Sequence, residues 1–285
     1  MKLKSCRPLS FLAVAGIYLL AAAGGILLYL ALPFSAWLSL LIADAAATVF
    51  VFLFSLLLGN ASVYDPYWSV QPMVILLGYL CGGHIHPGGI LITAVVCIWG
   101  LRLTANWAYT FHSLNHQDWR YTMLKEQTGF FYPVINFLGI HMVPTLIVYA
   151  ATLPAVYALL EGGNINLGCF LGCLLSLCAT VMQGTADYQM QKFRRQKSGS
   201  FIRDGLWKYS RHPNYLGEIL MWWGVGLATL SLLPHRWYLL AGAALNTALF
   251  FAVSLPMAEK RQAKKEGFAE YKKQTRLLLP IKKGC

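Results

Sequence analysis

Charged residues are scarce in this chain of 285 residues. Asp, Glu, Lys and Arg supply 12% of the sequence, about half their share in a soluble domain. Hydrophobic residues supply 57%, which excludes a soluble globular protein and predicts a polytopic membrane protein. Among the charged residues, the acidic ones are the scarcer, with 11 against 23 basic residues. The basic residues lie between apolar segments, as topology determinants do, so we expect no nucleic-acid partner.

Zinc-ligand spacings are absent among the seven cysteines, so no metal site is predicted. Cys169, Cys173 and Cys178 lie in an apolar segment and are interpreted as small core residues. Cys285 ends the chain without a prenylation motif, so no lipid anchor is expected. Repeats and low-complexity stretches are also absent, and we expect one integral membrane domain over residues 1–285.

Long apolar runs, in contrast, are plentiful. Eight of them approach the ~20 residues that a membrane-spanning helix needs. The third is short and contains Pro72, so the sequence predicts an all-α, polytopic membrane helix bundle with seven to eight transmembrane helices. The runs cover residues 11–31, 36–58, 66–82, 89–111, 133–160, 165–188, 214–233 and 237–256.

The positions of Lys and Arg predict the topology. Eight spans with both termini in the cytoplasm satisfy the positive-inside rule almost completely. Only Arg102 and Arg236 fall outside the N-terminus and the predicted inner regions. Those regions are 59–65, 112–132, 189–213 and 257–285. We expect a bacterial inner-membrane or endoplasmic-reticulum protein that contacts membrane lipid and is a monomer.

One cationic stretch, residues 204–218, precedes an apolar helix. Pro213 is favoured at the first helical position, which places the free N–H groups of the first turn beside Lys208, Arg211 and His212. This pattern predicts an anion site. The alternative is that these residues are only charges at the membrane surface.

Glu218 is harder to explain as a surface residue. It lies one turn beyond Asn214 on the same face of an apolar helix. A buried carboxylate without a partner is costly, so we interpret Glu218 as functional. Asp44 is a second buried acid, and the sequence shows no partner for it.

Two further helices carry polar faces. Trp99, Arg102, Asn106 and Tyr109 are spaced three, four and three residues apart, which places them on one face. This pattern indicates a cavity, although a single arginine reaching toward the membrane surface is an alternative. In the sixth run, residues 183, 187, 191 and 194 share a face that leads toward the cationic stretch. The alternative is that the basic residues after this run are only a positive-inside signal.

Asp65 begins an Asp-Pro-Tyr-Trp sequence before the third run. It is either a turn or cap residue or an acid at the inner mouth of a pocket. In the second case, burial would raise its pKa and suit it to proton donation. The basic tail from Glu259 is amphipathic and would lie on anionic lipid or close over a phosphate ligand.

Three motifs resemble the steroid 5-alpha-reductase-like family of integral membrane enzymes, in its branch of uncharacterised homologues. They are 205–218, Trp99-Gly-Leu-Arg-Leu103 and Asp65-Pro-Tyr-Trp68. The likeness covers roughly 60–283, so residues 1–58 are interpreted as additional N-terminal helices before a reductase-like core over 59–283. Sterol C14- and C7-reductases and isoprenylcysteine carboxyl methyltransferases share the motif over 205–218 in outline.

The resemblance implies a helical membrane fold, a cytoplasmic NADPH site and a lipid-facing substrate cavity. It assigns Asn214 and Glu218 to the nicotinamide end, and Arg194 and Asp187 to the phosphates and adenosine. Arg102 matches the arginine of the pocket helix.

Four positions differ from the family pattern. Asp65 replaces a glutamate, and Trp99 replaces the tyrosine that acts with it on a steroid ketone. Near the C-terminus, Lys260 and Lys264 replace a histidine and a tyrosine.

The function expected from the resemblance is NADPH-dependent reduction of a carbon–carbon double bond conjugated to a ketone. The substrate would be a lipophilic small molecule, namely a 3-oxo-Δ4 steroid, a sterol or a related enone lipid. The alternatives are a SAM-dependent methyltransferase acting on isoprenylcysteine or phospholipid, and a non-catalytic lipid-binding protein. The expected catalytic residues are Asp65, Tyr64, Trp99 and Arg102, with Tyr67 as another partner for Asp65. The expected cofactor-binding residues are Asp187, Arg194, Arg195, Lys208, Arg211, His212, Asn214, Tyr215, Glu218, Lys260 and Lys264.

Overall fold

The computed structural model describes residues 2–196 and 200–280, and within these ranges the chain is helical without a β-strand. Cys285 and the end of the basic tail, 281–285, lie outside the described residues. We number the principal helices α1 to α11. They are α1 Arg7–Ala31, α2 Ala36–Leu58, α3 Tyr67–Cys81, α4 Pro87–Thr110, α5 Trp119–Thr128, α6 Val143–Glu161, α7 Leu167–Gln196, α8 Pro213–Leu232, α9 Ala241–Leu249, α10 Leu255–Gln262 and α11 Phe268–Gln274.

The predicted all-α membrane bundle is confirmed. Seven helical stretches of the described chain are long and apolar enough to cross a membrane. Helix α3, which corresponds to the weakest predicted run, has 15 residues and is therefore about 22 Å long. Its Pro72 lies inside the helix.

Two predicted spans differ from the expected form. The fifth is interrupted, because a π-helical turn over Asn136–Met142 precedes α6. The sixth was expected to end at residue 188, but α7 continues as one helix of 30 residues to Gln196. This extension carries the polar face of α7 beyond its apolar part and toward the cationic stretch.

Several chain segments meet at one end of the bundle, which we call the basic end. Arg7, the first residue of α1, donates to the carbonyl of Ala108 in α4 at 3.0 Å. The Arg195 guanidinium lies 5.3 Å from the Tyr109 ring. The start of α1, the end of α4 and the end of α7 are therefore neighbours.

Helices α7 and α8 approach closely because small residues line their contact. A Cβ at Gly172 would lie 2.7 Å from the Gly224 carbonyl oxygen, and one at Gly217 would lie 2.8 Å from the Ala179 carbonyl oxygen. Glycine therefore allows backbone contact at both positions. The close packing places the polar face of α7 directly against Glu218 of α8.

The predicted core cysteines are divided between two environments. Cys169 and Cys173 are buried in the main hydrophobic core, as predicted. Cys178 is exposed on the outside of α7, so its prediction as a core residue was wrong. The helix turns that position away from α8.

Candidate functional site

Glu218 is buried and accepts three hydrogen bonds from N–H groups. Trp99 Nε1 and Gln183 Nε2 donate to Oε2 at 2.9 and 3.0 Å, and Trp222 Nε1 donates to Oε1 at 3.0 Å. These donors satisfy the carboxyl group without solvent. Trp99 is itself 1% exposed, so its side chain positions Glu218 from inside the core.

A polar network joins Glu218 to Arg102 and Asp187. The amide oxygen of Gln183 accepts from Arg102 Nη2, while Arg102 Nη1 contacts Asp187 Oδ2 at 2.8 Å. Asn214 Nδ2 then donates to Asp187 Oδ1 at 3.5 Å. Arg102 thus turns into the bundle toward an acid, rather than toward the membrane surface. Five residues that the sequence singled out separately lie in one network through Gln183.

This network reaches a cavity of about 540 Å³ at the basic end of the bundle. The cavity lies among the ends of α4 and α7, the start of α8, and α10. Six predicted cofactor-binding residues line it, whereas Glu218 and Trp99 do not. The six are Asp187, Arg194, Arg211, His212, Asn214 and Tyr215.

Three cations of the cavity form no salt bridge within the described part of the chain: Arg194, Arg261 and Lys265. Burial, and then the charges of Arg261 and Arg194, lower the pKa of Lys265. The two acids of the lining, Asp118 and Asp187, are already paired with Arg120 and Arg102 respectively. The cavity therefore has a surplus of positive charge, which would favour an anionic ligand.

Arg211 and His212 have protein partners. Arg211 Nε and Nη2 contact both carboxyl oxygens of Glu259 at 3.0 and 3.1 Å, and Nη1 donates to the Thr275 carbonyl. His212 Nε2 lies 2.8 Å from Glu259 Oε1, and the Arg211 N–H donates to the Arg276 carbonyl at 3.0 Å. These residues hold the C-terminal segment against α8, which leaves the Arg211 guanidinium little capacity for a phosphate.

Four other predicted cations lie outside the cavity lining. Lys208, Lys260 and Lys264 are exposed, and Arg195 packs on Tyr109. Their proposed contacts with a cofactor stay predictions. Tyr215 lies in the lining and stacks on His212, with ring centroids 5.2 Å apart.

Asp65 has a different tyrosine partner from those expected. The Tyr121 hydroxyl donates to Asp65 Oδ1 at 2.6 Å. Tyr64 shares a hydrogen bond with Thr145 instead, and Tyr67 donates to Asp44 at 2.8 Å. Burial raises the pKa of Asp65 to about 6, although the Arg120 charge and the Tyr121 hydroxyl oppose this shift.

Some site residues were not identified as ligands or partners from the sequence. Gln183 lies on the predicted polar face of α7. Nothing in the neighbouring sequence indicated that its amide accepts from Arg102 and donates to Glu218. Tyr121 and Trp222 resemble many other aromatic residues of a membrane protein. Lys260 is the cofactor ligand predicted from the sequence, but it is the next residue, Arg261, that lines the cavity. The basic sequence of the tail was the signal that could have identified Arg261.

Comparisons with known proteins give one family and two partial relatives. The family model described as a protein of unknown function, DUF1295, matches residues 51–275. An uncharacterized protein of Schizosaccharomyces pombe is 25% identical over 192 residues, which are 57% of this chain and 56% of that protein. The Protein-S-isoprenylcysteine O-methyltransferase of Saccharomyces cerevisiae is 32% identical over 71 residues, 24% of this chain and 29% of that protein.

The chain thus spans little more than half of the first relative and less than a third of the second. No solved structure matches it. The family match nevertheless contains the whole polar network and the cations of the cavity, from Asp65 to Lys265. Since the match extends over most of its length, the chain belongs to DUF1295, a family of proteins of unknown function.

Proposed function

We propose that this protein is an NADPH-dependent reductase of a carbon–carbon double bond conjugated to a ketone in a lipophilic substrate. The observation that carries the proposal is the convergence of Arg194, Arg261 and Lys265 on a cavity next to the Arg102–Asp187 network. The resemblance of three motifs to the steroid 5-alpha-reductase-like family supports the same reaction class. The cavity would face the cytoplasm, where NADPH is dissolved.

The lining fits the parts of NADPH. Its phosphate groups would bind to the three cations, and the 2′-phosphate would match a guanidinium of Arg194 or Arg261. Asn214 Oδ1 is buried without a hydrogen-bond partner and belongs to a residue of the lining. It can accept an N–H of the nicotinamide carboxamide.

The protein groups would then orient the reactants and handle charge. NADPH would supply a hydride to the β-carbon of the enone. Glu218 and Gln183 fix Arg102, which with Asp187 holds Asn214 in the cavity wall. The ordered polar groups would bind the cofactor without reorganising.

Asp65 is the proposed partner of the substrate ketone. It interacts electrostatically with Arg120 and Asp118, and Asp118 lines the cavity. Because the pKa of Asp65 is raised to about 6, part of the population is protonated near neutral pH and can donate to the ketone oxygen. Tyr121 keeps its carboxyl group oriented.

The second candidate is a SAM-dependent methyltransferase. The 71-residue similarity to the methyltransferase of Saccharomyces cerevisiae favours it. SAM carries one carboxylate and a cationic sulfonium, so three cations without salt bridges suit it poorly. A dinucleotide with three phosphate groups matches this charge better.

The test is ligand binding to the purified full-length protein in detergent. We expect NADPH to raise the melting temperature more than NADH does, and SAM to have no effect, because only NADPH carries the 2′-phosphate. In Arg194→Ala we expect NADPH affinity to fall by about tenfold or more, the loss of one charge-assisted contact. Lys192→Ala is the control, since Lys192 is exposed on the same helix and outside the lining.

Stabilisation by SAM alone would contradict the reductase and support the methyltransferase. Equal affinity of Arg194→Ala and Lys192→Ala for NADPH would show that the cavity is not its site. Consumption of NADPH with 3-oxo-Δ4 steroids, sterol intermediates and polyprenyl enones would then identify the substrate class.

A further inference from the structure

A second cavity, of about 340 Å³, lies among α1, α2 and α3. It extends to His84, just before α4 begins, whereas the cationic cavity contains Thr110 at the other end of α4. The two cavities share no lining residue. At the end away from His84, the second cavity reaches Tyr67, two residues after Asp65.

Its wall contains a buried polar cluster formed by Asp44, Tyr67 and Gln71. The two oxygens of the Asp44 carboxyl group accept from the Tyr67 hydroxyl at 2.8 Å and from Gln71 Nε2 at 2.6 Å. The rest of the lining is mostly apolar. This cluster accounts for the acid in α2 that had no partner in the sequence.

One polar atom of the cluster is unpaired. Gln71 is 6% exposed, and its Oε1 has no hydrogen-bond partner. With the amide oxygen and nitrogen exchanged, the oxygen would face Asp44 Oδ2, a second acceptor, and the nitrogen would be unpaired, so the orientation that donates to Asp44 is favoured. A buried amide atom without a partner is costly, so the wall is suited to a ligand with a polar group.

The cavity opens toward lipid. Ile26 and Leu30 of α1 belong to its lining and are 46% and 72% exposed. Since α1 is one of the candidate membrane spans, its exposed apolar side chains face hydrocarbon. A ligand would enter sideways from the bilayer, with an apolar body and a small polar head group.

We propose that this cavity binds a lipophilic alcohol from the membrane. Its hydroxyl group would donate to Gln71 Oε1 and lie beside Asp44, while its apolar body would pack between α1 and α3. A hydroxyl group supplies the proton donor that Gln71 Oε1 lacks. No Lys or Arg belongs to the lining, which disfavours an anionic head group. An ether oxygen only accepts hydrogen bonds, so an ether would leave Gln71 Oε1 unpaired.

The test uses three photoreactive diazirine probes with the same C16 chain: an alcohol, its methyl ether and the matched amine. The full-length protein in lipid nanodiscs is irradiated with each probe, and labelled peptides are quantified by mass spectrometry. We expect the alcohol to label α1–α3 at least about fivefold more than the ether, the factor of one buried hydrogen bond. This comparison needs no variant.

Variants then locate the polar contact. Gln71→Met keeps the side-chain length but removes the amide, and we expect it to abolish the preference for alcohol over ether. Tyr29→Phe is the control, because Tyr29 lines the same cavity but bonds to Tyr79. This control is expected to keep the preference.

Equal labelling by alcohol and ether in the wild-type protein would overturn the proposal and leave water or plain lipid in the cavity. Stronger labelling by the amine would also overturn it, since a cation paired with Asp44 would then be the ligand. A preference unchanged in Gln71→Met would remove Gln71 from the site. NADPH binding is measured at the other cavity, so its failure would not affect these outcomes.

Discussion

Glu218 illustrates how a carboxyl group is accommodated inside an apolar bundle. Its three N–H donors come from two indoles and one amide, all neutral groups that are compatible with the surrounding core. Trp99 stands where the steroid 5-alpha-reductase-like family, which the motifs resemble, has a tyrosine, and its indole donates to Glu218. With tryptophan at position 99, the hydrogen bonds to Glu218 are complete.

Asp65 predicts a pH dependence of stability. Its folded pKa of about 6 exceeds the value of about 4 in an unfolded chain. The folded state then holds the proton more tightly, so the contribution to stability is complete below pH ~4 and is lost as the pH rises through about 6. We expect the melting temperature of the wild type to fall relative to that of Asp65→Asn between pH 4 and 7.

Asp118 supplies the contrasting control. Burial alone would raise its pKa, but the charge and hydrogen bonds of Arg120 hold it below the usual value. Its contribution to stability should therefore be lost as the pH falls below about 4, the opposite direction from Asp65. If the melting temperatures of Asp65→Asn and the wild type change with pH by the same amount between pH 4 and 7, the raised pKa of Asp65 is wrong.

At the scale of elements, the Arg-His-Pro turn joins α8 to the C-terminal helices. Arg211 and His212 share the carboxylate of Glu259 in α10, and an isolated bridge pairs Ser210 with Arg276. This attachment places Arg261 and Lys265 over the cavity. The motif thus contributes to the cationic site by positioning the tail, in addition to any direct contact.

Glu259→Gln tests this attachment. Removing the charge leaves the buried guanidinium of Arg211 without its ion-pair partner, which costs ~3 kcal/mol or more. We expect a lower melting temperature and faster tryptic cleavage at Lys272 and Lys273. Fragment yield against time, with mass identification of the cut sites, measures the effect.

Glu270→Gln is the matched control. Its carboxylate lies 3.5 Å from Lys273, and the Glu270 side chain is 60% exposed, so its loss should change stability by less than ~1 kcal/mol. Cleavage at the same rate in both variants would mean that the C-terminal helices are held by their apolar contacts, among them Phe201 with Phe268 and Tyr271.

At the scale of the whole molecule, the chain passes through the bundle eight times within the described residues. Seven helical stretches are long enough to span a membrane, and the shorter α3 accounts for the eighth pass. The start of α1 and the C-terminal helices meet at the basic end, where Arg7 contacts the end of α4 and Arg261 packs on Trp119. An even number of passes places the start of α1 and the C-terminal helices on the same side of the membrane.

Cysteine labelling tests this arrangement in a cysteine-free background. Ile85→Cys lies in the exposed loop before α4, and Glu270→Cys lies in the exposed C-terminal helix. With the basic end in the cytoplasm, we expect a membrane-impermeant maleimide to label only Ile85→Cys in intact cells. Inverted vesicles should give the reverse pattern. Labelling of both positions from one side would contradict eight passes.

The sequence alone determined the membrane class, the helices and much of the site. Apolar length and the scarcity of charge leave helices as the only arrangement that pairs backbone groups in lipid. Helical spacing and the motif resemblance also selected Arg102, Asp187, Asn214 and Glu218, because an ionisable group inside an apolar helix requires a partner.

Only the tertiary structure decided which partners meet. Gln183 between Glu218 and Arg102, Tyr121 on Asp65, and Glu259 on Arg211 are contacts between residues at least 35 positions apart. Periodicity assigns a residue to a face, but it does not show which helix packs there. The glycine contacts of α7 with α8, and the folding of the tail onto α8, bring these side chains within hydrogen-bond distance.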